Sequence, residues 1–152
     1  MLTDSDRRAC YDLALHYARA VDRRVYAALL PLLAPDALIA VHPGDPSEVA
    51  PDAEMRGHAE VLAAMPRIEA YRATFHLVGN QTLEADGEGR ARGETYCTAH
   101  HIYARDGRDR DRTMHIRYQD RFARAESGWV FSERRLWVVF TSDRPLEEGA
   151  PS

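Results

Sequence analysis

Lysine is missing from this chain: all 20 basic residues among its 152 are arginines. Schiff-base chemistry and lysine general bases are therefore excluded. Cysteine is scarce, with Cys10 and Cys97 alone, and neither stands in a CxxC or comparable metal-binding spacing. Both read as small buried hydrophobes, and a reducing cytoplasm is the simplest setting for them. No uncharged apolar run approaches the roughly 20 residues that a membrane-spanning helix needs. The opening MLTDSDRRAC also lacks the apolar core of a secretion signal. GxSxG, GxGxxG, HExxH and the phosphate-binding loop pattern do not occur, so hydrolase triads, dinucleotide binding and nucleotide transfer have no support. The net charge is -4 and the arginines are spread along the chain, which gives no reason to expect nucleic acid or an anionic membrane as partner.

What is present fits one domain with room for a core and a cavity: 45% hydrophobic and 29% charged residues over 152 positions. Thr3, Asp4 and Ser5 offer N-cap oxygens, and Cys10, Leu13, Ala14, Tyr17 and Val21 recur at helical spacing, which predicts a helix over 5–24. A short helix over 25–34 should stop before Pro35-Asp36. A strand over 37–42 leads into HPGDPSEVAPD, a loop by composition, and a third helix follows over 58–70. The period then changes to that of strands, over 73–85, 90–105, 112–125 and 129–142, separated by ADGEG, RDGRDRD and AESG. Three helices followed by a mostly antiparallel meander define an α+β domain over 1–144, in which a curved sheet wraps the first helix. Residues 145–152 read as a loosely ordered tail.

Ionisable residues in apolar surroundings are the candidates for chemistry. On a helical wheel Asp22 falls beside Tyr11, Leu15 and Ala18, so it faces inward, at the helix end where the macrodipole disfavours an acid. A buried carboxylate needs a partner: a histidine to orient or an arginine to pair with. Strand alternation puts Thr74, His76, Val78 and Asn80 on one face. His100 and His101 must point to opposite faces, so at most one of them joins a pocket and they cannot share a metal. Tyr17, Tyr96, Tyr118 and Trp137 are the aromatic candidates for a pocket wall, with core packing as the plain alternative.

The segment order and the motifs AVDRR, LLAPDA, TFHLVGN, GETYCTAHHIY and SGWVFSERRL resemble SnoaL-like proteins of the nuclear transport factor 2-like superfamily, over about residues 5 to 142. The resemblance implies a cone-shaped α+β barrel around an apolar pocket, no cofactor, a small-molecule substrate, and a homodimer or homotrimer. Members such as scytalone dehydratase and lindane dehydrochlorinase pair an aspartate near the end of the first helix with a histidine on the strand after the third. Here those positions are Asp22 and His76. An A-H-x-x-Y string selects His100 as a further catalytic histidine, Tyr17 resembles a pocket tyrosine, and Arg134 or Arg135 resembles an arginine near the substrate. The tyrosine that scytalone dehydratase carries on its first strand falls on Val41 here. The expected chemistry is an elimination or isomerisation by an Asp-His pair, with an aldol-type polyketide cyclase or a non-catalytic binding subunit as alternatives.

Overall fold

A computed structural model describes residues 1–147. Helix α1 (Asp4–Asp22) starts at a reciprocal cap: the Thr3 hydroxyl accepts from the Asp6 N–H, and the Asp6 carboxylate accepts from the Thr3 N–H. Asp6 also accepts from the indole N–H of Trp129 at 2.9 Å and pairs with Arg124, which ties the start of the helix to the sheet. These hydrogen bonds, that from Trp129 foremost, hold the Asp6 carboxyl down at about 2. Cys10, Leu13, Ala14, Tyr17 and Val21 form the buried stripe that their spacing predicts.

The segment expected as a second helix is instead a 3-10 helix over Tyr26–Leu32, followed at once by strand β1 (Leu33–His42). Pro31 inside it removes a helical donor and limits the segment to the tighter form. After β2 (Ala53–Arg56), the third expected helix is also shortened, with α2 over Gly57–Ala64 and a 3-10 turn over Met65–Ala70. The break falls at Pro66, which has no N–H to donate to the Leu62 carbonyl. Strands β3 (Ala73–Ala85), β4 (Arg90–Arg105), β5 (Arg108–Ala125) and β6 (Gly128–Pro145) complete the domain. Strand β6 extends through Pro145, the first residue of the expected tail, and the Leu146 N–H donates to the Asp109 carbonyl; the end of that tail, 148–152, lies outside the described residues.

The six strands form one sheet in the order β2-β1-β6-β5-β4-β3, antiparallel except for the parallel pair β1 and β6. The sheet does not close into the expected barrel; β2 and β3 are its edges. Asp106 and Gly107, with φ of 52° and 73°, make the two-residue left-handed turn between β4 and β5 that an Asp-Gly pair favours. Register sorts the side chains onto two faces. Thr74, His76 and Val78 of β3 share the inner face with His101, Ala99 and Cys97 of β4, and with Arg112, Met114 and Ile116 of β5. Helix α1 packs over this face against β3 and β6. The outer face carries Phe75, Leu77, Tyr96 and Phe140, all substantially exposed.

The core has two parts. The larger packs α1 onto β1 and the Phe122–Phe131 end of the sheet. A smaller cluster of Cys97, Ala99, Ile116 and Tyr118, flanked by Met114 and Leu136, lies farther along the inner face. Both cysteines are free and buried within these clusters.

Candidate active site

Helix α1 ends at Asp22, and the chain turns back through Arg24, so the last carboxylate of the helix meets the entry to β3. One Asp22 oxygen lies 2.7 Å from Nδ1 of His76 and accepts from the Thr74 hydroxyl at 2.9 Å; the other accepts from the backbone N–H of His76 at 2.8 Å. The His76 side chain is 7% exposed and that of Asp22 is 20% exposed. Burial pushes the Asp22 carboxyl up, but its hydrogen bonds to His76 and Thr74 outweigh this and hold it below its ordinary value. With the carboxylate ionised, Nδ1 carries the proton and Nε2 keeps the lone pair.

The second histidine beside this pair is His101, where the sequence pattern pointed to His100. His76 pairs across the ladder with Ala99 and Thr74 with His101, which puts His101 on the face of His76, ring centroids 5.9 Å apart and nearly perpendicular. His101 also stacks at a tilt on Tyr71, 4.8 Å away, and its Nδ1 lies 3.2 Å from the Arg112 carbonyl. Burial, with a smaller push from His76, lowers the His101 pKa to about 4. His101 is therefore a neutral imidazole at pH 7.

His100 points to the outer face. There its Nδ1 lies 2.7 Å from the carboxylate of Asp111, which is 2% exposed, while the His100 side chain is 31% exposed. Strand register thus keeps this second Asp-His pair apart from Asp22 and His76, and the expectation that His100 joins them is corrected. Sequence reasoning missed His101, although the alternation rule had already shown that one of the two adjacent histidines must be excluded.

The remaining expected residues divide between the faces. Arg134 is 1% exposed; its guanidinium bonds both Asp120 carboxylate oxygens, at 3.0 and 3.3 Å, and lies over the rings of Tyr118, Tyr17 and Phe131. Arg135 turns outward to Glu133 and His42. Tyr17 and Tyr118 are therefore inner-face residues held around a cation, and burial pushes both phenols up. Tyr96 and Trp137 are corrected to the outer face, where they flank Arg117 at 5.3 and 5.0 Å. Asn80 is corrected as well: the ladder shifts register between Val78 and Gln81, so Gln81, bonded to Thr95, takes the inner position, and Asn80 is exposed along an outer groove of about 330 Å³. That groove, a larger one of about 730 Å³ lined by Arg92, Gly93 and Arg135, and a third beside Pro31 are all without Asp22 or His76 in their walls.

An α+β cone with an oriented imidazole where its first helix meets its sheet is a fold and site suited to proton transfer on a small molecule. The model of the SnoaL-like domain matches residues 3–135, and the chain belongs to that family. No curated protein sequence matches it. Solved structures with its fold include a candidate scytalone dehydratase from Novosphingobium aromaticivorans, 19% identical over 97% of this chain and 93% of that one, with a TM-score of 0.77. Another is the hexachlorocyclohexane dehydrochlorinase LinA-type3 from Novosphingobium barchaimii, 18% identical over 99% and 100% of the two chains, TM-score 0.76. A third is the beta subunit of a candidate aromatic-ring-hydroxylating dioxygenase from Novosphingobium aromaticivorans, 16% identical over 88% of each chain, TM-score 0.73.

Proposed function

We propose that this chain is a lyase or isomerase that removes a proton from carbon beside a carbonyl or an activated ring of a small, largely apolar metabolite, with His76 as the base. The hydrogen bond between His76 Nδ1 and Asp22 carries the reading. It fixes the tautomer, with Nε2 left free to take a proton, and sets a carboxylate beside the imidazolium that forms. The charged His76 then returns the proton to the departing group. His101 stays neutral at pH 7, and with Nδ1 turned to the Arg112 carbonyl it offers Nε2 as an acceptor for a substrate hydroxyl. The core cluster of Cys97, Ala99 and Ile116, with Met114 packed against it, lies on the same face and favours an apolar substrate body.

A positioned base contributes about 10² to 10⁴ in rate. Against a panel of β-hydroxy ketones and hydroxylated aromatics, the wild type should eliminate water from at least one member. His76→Ala should lower that turnover by about two orders or more with an unchanged circular dichroism spectrum. A wild-type rate retained in His76→Ala would reject the assignment.

The likeness to a dioxygenase beta subunit, together with three grooves that Asp22 and His76 do not line, favours a second reading. In it the chain is a non-catalytic binding subunit, and Asp22 and His76 clamp helix to sheet. It predicts no turnover across the panel and a lower melting temperature for His76→Ala.

A further inference from the structure

Arg24 is one of two non-glycine residues with left-handed backbone among the described residues, at φ 58°. It follows the C-cap of α1: its N–H donates to the Val21 carbonyl at 3.1 Å and that of Val25 to the Ala20 carbonyl at 3.0 Å. Helices commonly end on such a left-handed residue, and glycine or asparagine normally fills it because neither strains there. An arginine in this place asks for a reason beyond the turn.

Its side chain supplies one. The guanidinium of Arg24 folds back across the gap between α1 and β3 and donates to the Tyr71 carbonyl at 3.1 Å, with a longer contact of 3.4 Å to the Thr74 hydroxyl oxygen. Tyr71 and Thr74 bracket the run that leads into His76. Thr74 in turn donates its hydroxyl proton to Asp22 at 2.9 Å. The last carboxylate of the helix and the histidine of the strand are thus joined by a second connection beside their direct hydrogen bond. It runs from Arg24, two residues after Asp22, to Thr74, two residues before His76.

We infer that Arg24 and Thr74 are positioning residues, which hold the end of α1 against the entry of β3 so that the Asp22 carboxylate keeps the His76 ring in one tautomer and one orientation. This deepens the acid/base reading of the same site and rests on it for its functional meaning, but its geometry stands in the free protein. The plain alternative is that Arg24 only places a positive charge at a helix C-terminus, where the macrodipole favours one.

Glycine separates the two. Arg24→Gly keeps the left-handed turn and relieves its strain while it removes the guanidinium. Nitrogen-15 NMR of the histidine-labelled, ligand-free protein reads the result at the Nδ1-bound proton of His76. In the wild type one tautomer and a slowly exchanging proton are expected. In Arg24→Gly the same proton should exchange about tenfold faster or more as the local contact opens, and the second tautomer should appear, with a melting temperature equal to or above that of the wild type. Thr74→Val should give the same signature and Thr74→Ser should restore the wild-type one. If Arg24→Gly fails to fold, the Thr74 pair alone decides the outcome. A wild-type tautomer and exchange rate in Arg24→Gly, or in Thr74→Val, overturns the inference. Because the readout needs no substrate, that failure is distinct from a failure of His76 as a base, which turnover alone reports.

Discussion

At the level of single residues, periodicity made Asp22 and His76 separate candidates, and the family resemblance is what paired them. The helical wheel turns Asp22 inward, and strand alternation turns His76 to one face together with Thr74 and Val78. The choice between His100 and His101 was not legible, because alternation separates them without saying which face is which. That depends on which face of the sheet α1 covers, a matter of long-range packing. Asn80 was misplaced for a related reason: one bulge after Val78 inverts every later assignment on the strand. The Arg134–Asp120 pair shows what a buried charge requires. Arg134→Met alone should cost about 3–5 kcal/mol in urea unfolding, because it leaves Asp120 buried without its cation. Adding Asp120→Leu should recover most of that loss, and a double variant no more stable than the single one would contradict this account.

At the scale of elements, composition and turn chemistry located the helix α1 and the four long strands to within a few residues. Asp-Gly, Glu-Gly and Ser-Gly pairs stop strands for stereochemical reasons visible in the chain itself. The short strand β2 escaped because four residues, AEMR, carry no decisive alternation and exist as a strand only through pairing with β1. The start of β1 was hidden by Pro35, which coincides with the register shift between Leu33 and Leu38 against β6. Among the described glycines, Gly93 has the closest backbone neighbour to an added Cβ. A Cβ built there would sit 2.3 Å from the Thr82 carbonyl oxygen and 2.9 Å from a Leu83 methyl. Gly93→Ala must therefore push β3 away from β4, which should cost about 2 kcal/mol or more. Amide exchange should show the loss concentrated in β3, including Thr82 and Leu83, while β5 and β6 keep their protection.

For the whole molecule, the family and the α+β class were readable from segment order, whereas closure of the sheet was not, since nothing local states whether two distant edges meet. Global stability carries a pH signature that follows from the inner face. His101 titrates near 4 when folded and near 6.5 when unfolded, so between those values the unfolded chain binds a proton that the folded one refuses. Stability should hold above about pH 6.5 and fall as the pH drops toward 4, by an amount on the order of 3 kcal/mol. Asp22 and Asp111, both depressed, lose their contributions only at lower pH, as they take up protons through the carboxylate range. Chemical denaturation from pH 7 to 4 should show this slope in the wild type, and His101→Gln should flatten it. An unchanged slope would assign the effect to other groups. The open sheet also gives the Asp22 carboxylate a place at a strand edge. Strand β3 is an edge, and the carboxylate occupies the outward N–H of His76, one of the slots by which a stray strand from another chain would dock. An asparagine at position 22 still accepts there, whereas an alanine leaves that edge amide without its acceptor.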